Sequence, residues 1–142
     1  MSAPAQAVQR GPVRVIVDTN ALFVVLQFRV DIVRELESLL NRRFELILLS
    51  PVRHELELLA KDGSLKTRKM ASYALKLAGE FTFFSVPNDD SKTVDDLIVK
   101  VASNWKAPVF TNDSQLRKRL RDISVPVIYL RQKSRLEING MI

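Results

Sequence analysis

Four carboxylates, Asp18, Glu55, Asp95 and Asp113, each stand just beyond an apolar run of this 142-residue chain. Asp18 ends the run Val13-Arg14-Val15-Ile16-Val17. Glu55 lies in the early turns of a helix that opens after Leu49, Asp95 in the first turn of a helix that follows Phe81–Val86, and Asp113 directly after Thr111-Asn112. In an open parallel sheet, ligands bind beyond the carboxyl ends of the strands, so acids at those junctions project to one edge. Two carboxylates about 4 Å apart repel by roughly 4 kcal/mol at an effective dielectric of about 20. A cluster of four must therefore gather cations or protons. With no Cys and a single His in the chain, the donors are hard oxygens, which select Mg²⁺ or Mn²⁺. Such ions suit in-line displacement at a phosphodiester, where they activate water and stabilise the leaving oxygen.

A purely structural role competes, because Asp at a strand–helix junction commonly caps the helix and acids complement its dipole. Helix phasing separates the two roles. Thr93-x-x-Asp96 has capping-box spacing, which gives Asp96 a local supporting job. Asp95 shares its face with Ile98 and Ala102, whereas Asp96 shares one with Lys100 and Ser103. Glu55 likewise sides with Val52 and Leu59, and Glu57 with Arg53 and Lys61. The inward acids are Glu55 and Asp95.

The elements that must position these acids alternate along the chain. Strands are expected at Val13–Val17, Glu45–Leu49, Phe81–Val86, Pro108–Thr111 and Val125–Leu130. Helices are expected over about Asp31–Arg43, Ser50–Ala60, Thr67–Ala78, Thr93–Lys106 and Ser114–Arg121, with Ser50 as an N-cap before Pro51. Strands alternating with helices imply right-handed crossovers, and nearly continuous apolar strands imply a sheet covered on both faces. The expected fold is α/β, a three-layer α/β/α sandwich with a central, mainly parallel five-stranded sheet. Residues 1–12 read as a loose N-terminal tail, 13–130 as one domain, and 131–142 as a basic C-terminal tail.

Composition bounds the partners. A hydrophobic share of 46% and a charged share of 27% are ordinary for a globular domain, and the absence of Cys removes disulfides and thiolate zinc sites and suits a reducing cytoplasm. No apolar run approaches the roughly 20 residues of a spanning helix, so no membrane partner is expected. The net charge of +6 makes a polyanion, nucleic acid above all, a natural ligand.

The order Val17-Asp18-Thr19-Asn20, then Glu55-Leu56, then Asp95, then Thr111-Asn112-Asp113 resembles the PIN-domain nucleases, over about Val13–Leu130. The resemblance implies Mg²⁺- or Mn²⁺-dependent endonuclease cleavage of RNA. It makes Asp18, Glu55, Asp95 and Asp113 metal ligands or their immediate supports, with Asn20 and Thr111 as polar orienters. For Asn20 a helix N-cap is an equal alternative, and for Thr111 a hydroxyl bonded to local backbone. The stretch Thr111–Leu120 is similar to the subgroup that processes small-subunit ribosomal RNA precursors. The VapC-type toxins of toxin–antitoxin pairs share the same acids. An antitoxin or a ribosome assembly factor as protein partner, and a homodimer, stay open.

Arg117, Lys118, Arg119 and Arg121 follow Asp113 and are expected to grip phosphates. Lys61, Lys66, Arg68 and Lys69 flank a Gly63-containing connection that could clamp a strand, and Arg131, Lys133 and Arg135 form a third basic group. For each the competing role is a solvated surface. His54, beside Glu55, and Trp105, on an apolar helix face, read as structural before functional. Two other functions compete: an RNA-binding assembly factor with vestigial acids, and a phosphate-accepting receiver domain. The receiver is disfavoured because the third strand ends in Val86-Pro87-Asn88 and not in a catalytic residue.

Overall fold

The computed structural model describes residues 11–142, except 88 and 92. Most of the expected N-terminal tail, and Asn88 of the receiver argument, therefore lie outside the described residues. The strands are β1 (Val13–Val17), β2 (Phe44–Leu49), β3 (Thr82–Phe84), β4 (Val109–Phe110), β5 (Val127–Arg131) and β6 (Arg135–Asn139). The helices are α1 (Thr19–Gln27), α2 (Ile32–Leu40), α3 (Ser50–Asp62), α4 (Leu65–Ala78), α5 (Val94–Trp105) and α6 (Ser114–Asp122). None of these helices, among the described residues, is long and apolar enough to cross a membrane.

The sheet runs β3-β2-β1-β4-β5-β6. β1 to β5 are parallel, and β6 pairs antiparallel with β5. The α/β architecture with a mainly parallel sheet is as expected, but there are six strands and not five. The sixth arises from the supposed basic tail: Leu136 is buried and Ile138 packs against the core, while Arg135 is exposed. The alternation is that of a half-covered edge strand. The backbone N–H of Leu136 donates to Glu35 on α2 at 3.1 Å.

The chain winds one way from β1 through β2 to β3, then returns to the other side of β1 as β4. The crevice between the ends of β1 and β4 is thus the switch point at which such sheets bind ligands. β1 lies mid-sheet, so Val15, Ile16 and Val17 are fully buried, as are Leu49, Val109, Phe110 and Ile128. The helices cover the two faces with Leu22, Leu36, Leu56, Ile98, Leu116 and Leu120, all fully buried.

Helix α1 has no counterpart in the sequence reading. Its nine residues carry Ala21, Leu22 and Val25 buried, and Phe23, Val24 and Leu26 also packed on the core. A helix apolar on nearly every side has no wet face to give it a period. One expected cap also moves. Leu49 occupies the N-cap of α3, and the Ser50 hydroxyl instead accepts the Val86 N–H at 2.8 Å, tying α3 to the segment after β3. The basic connection around Gly63 is mostly helix, since Lys61 ends α3 and Lys66, Arg68 and Lys69 begin α4. Gly63 makes that tight corner, where a Cβ would lie 2.7 Å from the Leu59 carbonyl oxygen.

Candidate active site

Asp18 follows β1 and is the N-cap residue of α1, with its backbone extended. Its N–H donates to the Phe110 carbonyl at 3.1 Å, which locks it to β4. The carboxyl is buried, 6% exposed, and its Oδ2 accepts the Thr111 hydroxyl at 2.8 Å. That hydroxyl also accepts the Asp113 N–H at 3.1 Å. Thr111, fully buried, thus joins two of the acids through one oxygen. Thr111 therefore has a local backbone partner in Asp113 and a distant side-chain partner in Asp18.

Asp113 is itself the N-cap of α6, its Oδ1 accepting the Leu116 N–H at 2.8 Å. Asn112 fixes the turn between them. Its side chain donates to the Leu130 carbonyl at 3.0 Å and accepts the Leu130 N–H at 2.7 Å, so it extends the two-residue β4 ladder as a stand-in strand residue. The Asn112 N–H donates to Asn20 Oδ1 at 2.9 Å. Asn20 therefore lies inside α1 and not at its cap, and it braces the Asp113 turn.

Glu55 stands on the second turn of α3, half-buried, and its Oε1 accepts the Thr19 hydroxyl. Sequence reasoning did not single out Thr19, although its hydroxyl directly after Asp18 was the available signal. Asp95 is half-buried in the first turn of α5. The α5 cap is as expected, with the Thr93 hydroxyl accepting the Asp96 N–H at 3.0 Å. The Asp96 carboxylate, however, does more than face water: it pairs with Arg119 of α6 at 3.0 Å.

Charge shows that the acids face one another. Burial pushes the Asp18 carboxyl up to about 6, opposed by the Thr111 hydrogen bond and reinforced by the charges of Asp95 and Glu55. Asp95 is also raised, first by burial, then by Asp113, with Glu55 and Asp96 adding to it and Arg119 opposing. Among the described residues, no three acids close on one point as a preformed ligand set. What the structure holds is an edge of repelling oxygens, two of them aimed by threonine hydroxyls. An all-oxygen donor set with hydrogen-bonded supports and unrelieved negative charge fits a hard divalent cation.

The basic residues divide. Lys118 and Arg121 are exposed, while Arg117 stacks on Tyr129, 4.1 Å from the ring centre. Lys66, Arg68 and Lys69 are exposed on α4. Arg131 and Arg135 pair with Glu137, and Lys133 sits over Phe28. His54 is exposed, and Trp105 packs edge-on against Phe84 beneath Arg14, a structural setting for the tryptophan. A concavity of about 850 Å³ at the other end of the sheet, lined by Arg14, Trp105, Pro108 and Pro126 among others, contains none of the four acids. An extended polyanion needs an open edge more than an enclosed pocket.

The family profile described as PIN like domain matches residues 15–133. The chain is 33% identical over 130 residues to "Ribonuclease VapC4" of Methanocaldococcus jannaschii, covering 91% of this chain and 98% of that protein. It is 28% identical over 121 residues to "Ribonuclease VapC9" of Archaeoglobus fulgidus, covering 85% of each. Among solved structures it superposes on the PIN domain endonuclease Utp24 with a TM-score of 0.75 and 26% identity, over 92% of this chain and 94% of that one. With the acids of four strand–helix junctions facing one another at the switch point, and relatives matched over almost their whole length, this chain belongs to the PIN-domain ribonuclease family.

Proposed function

We propose that this PIN-domain ribonuclease hydrolyses RNA internally at the edge formed by Asp18, Glu55, Asp95 and Asp113, which would hold Mg²⁺ or Mn²⁺. The observation that carries the reading is the charge congestion at Asp18: a buried carboxyl held up at about 6, raised by burial first and then by Asp95 and Glu55. A structural cap gains nothing from such a position, whereas a cation site does. When bound, the ion supplies Lewis acidity toward the phosphodiester.

The chain's own residues do the rest. Thr111 aims Asp18 and Thr19 aims Glu55. The Asn112–Asn20 contact keeps Asp113 in register with the sheet. Exposed Lys118 and Arg121, with the cations of α4, attract the phosphate backbone. Activity of the full chain on a short RNA, stopped by chelator, restored by Mg²⁺ or Mn²⁺ and lost in Asp18→Asn and Asp95→Asn, is the expected result. Cleavage persisting in excess chelator, or in both variants, overturns the reading and favours a non-catalytic RNA-binding role.

Two RNA targets are in view. The relatives carrying the VapC name favour a toxin ribonuclease whose partner is an antitoxin, and the resemblance of Thr111–Leu120 to the rRNA-processing subgroup favours processing of ribosomal RNA precursors. Arrest of translation on expression, relieved by a small adjacent gene product, selects the first. Accumulated rRNA precursor on deletion selects the second.

A further inference from the structure

The four cations of α6 are not equivalent. Arg117 is laid against Tyr129, and Lys118 and Arg121 extend into solvent. Arg119 crosses to another helix, its Nη1 3.0 Å from Asp96 Oδ1. Asp96 directly follows Asp95 in the first turn of α5. Among the described residues, this is the ion pair that ties one helix to another.

Resting on the hydrolytic reading above, we propose that Arg119 is the cation that engages the phosphate being cut, and that Asp96 is a positioning residue that aims it. Three properties carry this. The first is place, since Asp96 holds the guanidinium one residue from Asp95, whose carboxyl senses its charge. The second is spare capacity. A guanidinium offers five N–H donors in a planar fork; one nitrogen is taken by Asp96, and the side chain remains 45% exposed. The third is preorganisation. A long Arg side chain loses substantial rotamer freedom when fixed, and the ion pair fixes it before substrate arrives.

The chemistry calls for such a group. Acids that gather a metal also repel the anionic phosphodiester, and negative charge grows at the phosphate as it is attacked. A fixed cation beside the reacting centre offsets both effects, and it acts on rate because it is aimed at charge that develops. Lys118 and Arg121, which have no orienting partner among the described residues, act on affinity instead.

The test uses the full chain, a short RNA at saturating enzyme in single turnover, and Mn²⁺ binding without RNA measured by electron paramagnetic resonance. Arg119→Met should lower the saturated rate roughly 100-fold, the usual cost of losing one aimed charge-stabilising group. It should bind Mn²⁺ at least as tightly as the parent, because a positive charge near the acids has gone. Arg119→Lys should recover only part of the rate, because a point charge replaces the fork. Asp96→Asn should lower the rate less, and add little in the Arg119→Met background, as coupled residues do. A saturated rate near the parent's in Arg119→Met overturns the proposal. So does Mn²⁺ binding that weakens in step with rate, which would make the ion pair a brace between α5 and α6. If the parent fails to cut with Mn²⁺, or Asp18→Asn and Asp95→Asn both still cut, the hydrolytic reading falls and this inference with it; a failure confined to the Arg119 arm removes the inference alone.

Discussion

Thr111 and Asp18, 93 positions apart in the chain, are joined at 2.8 Å across β4 and β1, and the same threonine oxygen holds the Asp113 N–H. Removing that oxygen takes from the buried Asp18 carboxylate its side-chain donor and leaves the Asp113 amide without its acceptor. Thr111→Val should therefore destabilise the fold by about 1–3 kcal/mol in urea unfolding, and cleavage should fall. Thr111→Ser should restore most of both. A neutral Thr111→Val would mean that the threonine is filler.

The Asp18 shift fixes a pH dependence for the metal-free protein. Its folded value of about 6 lies above its ordinary 3.8, so between those values the folded state binds the extra proton and stability falls as pH rises. The loss is absent below about 3.8, complete above about 6, and on the order of 3 kcal/mol for a group this buried. The raised Asp95 adds a loss of the same sign. Urea unfolding in chelator at pH 4.5 and 7.5 should show the decline, and Asp18→Asn should flatten it. Millimolar Mn²⁺ should reverse the decline at pH 7.5, because only the ionised folded state binds the ion. A parent that gains stability across this window would contradict the assigned burial.

Asp95 and Asp96 should separate cleanly. Asp95→Asn is expected to abolish cleavage and leave the urea midpoint unchanged or higher, since it relieves repulsion from Asp113 and Glu55. Asp96→Asn keeps the Thr93 cap, because that bond uses the backbone N–H, but weakens the helix-dipole interaction and the partly exposed Arg119 pair. It should cost about 0.5–1 kcal/mol and retain measurable cleavage. The opposite order of activities would shift the site by one residue along α5.

RNA affinity should fall steeply with salt, because the contacts are with phosphates. Substituting Lys118 and Arg121 together should reduce the slope of log affinity against log salt by about 2. Substituting Lys66, Arg68 and Lys69 tests whether RNA also crosses α4. A slope indifferent to both sets would move the binding surface elsewhere.

The acids were legible because each follows a strand end, and strand ends are marked where β-branched or leucine-rich runs stop at a polar residue. Helix phasing gave Asp95 the inward place and Asp96 the cap; the Thr93 cap stands in the structure, and both acids are half-buried. Helix α1 was illegible because apolar residues on nearly every side erased its periodicity. Strand β6 was hidden by the charges of Arg131, Lys133, Arg135 and Glu137, which belong to the end of β5, the hairpin turn and β6 itself. The cap at Ser50 was misread, and the cap and orienter roles of Asn20 were left level, because each polar side chain answers a backbone N–H distant in sequence, at Val86 and Asn112. Such partners, like the Arg119–Asp96 pair, exist only after the sheet has assembled.

Glu35, by taking the Leu136 N–H, has an effect beyond the domain itself. An open strand margin is a template on which another copy can dock and so begin a fibre. Here the carboxylate occupies one of the amides such an addition would need and sets a negative charge beside it. The charged residues Arg135 and Glu137 sit on the same strand. The margin farthest from β3 thus carries its own deterrent against strand addition by another copy.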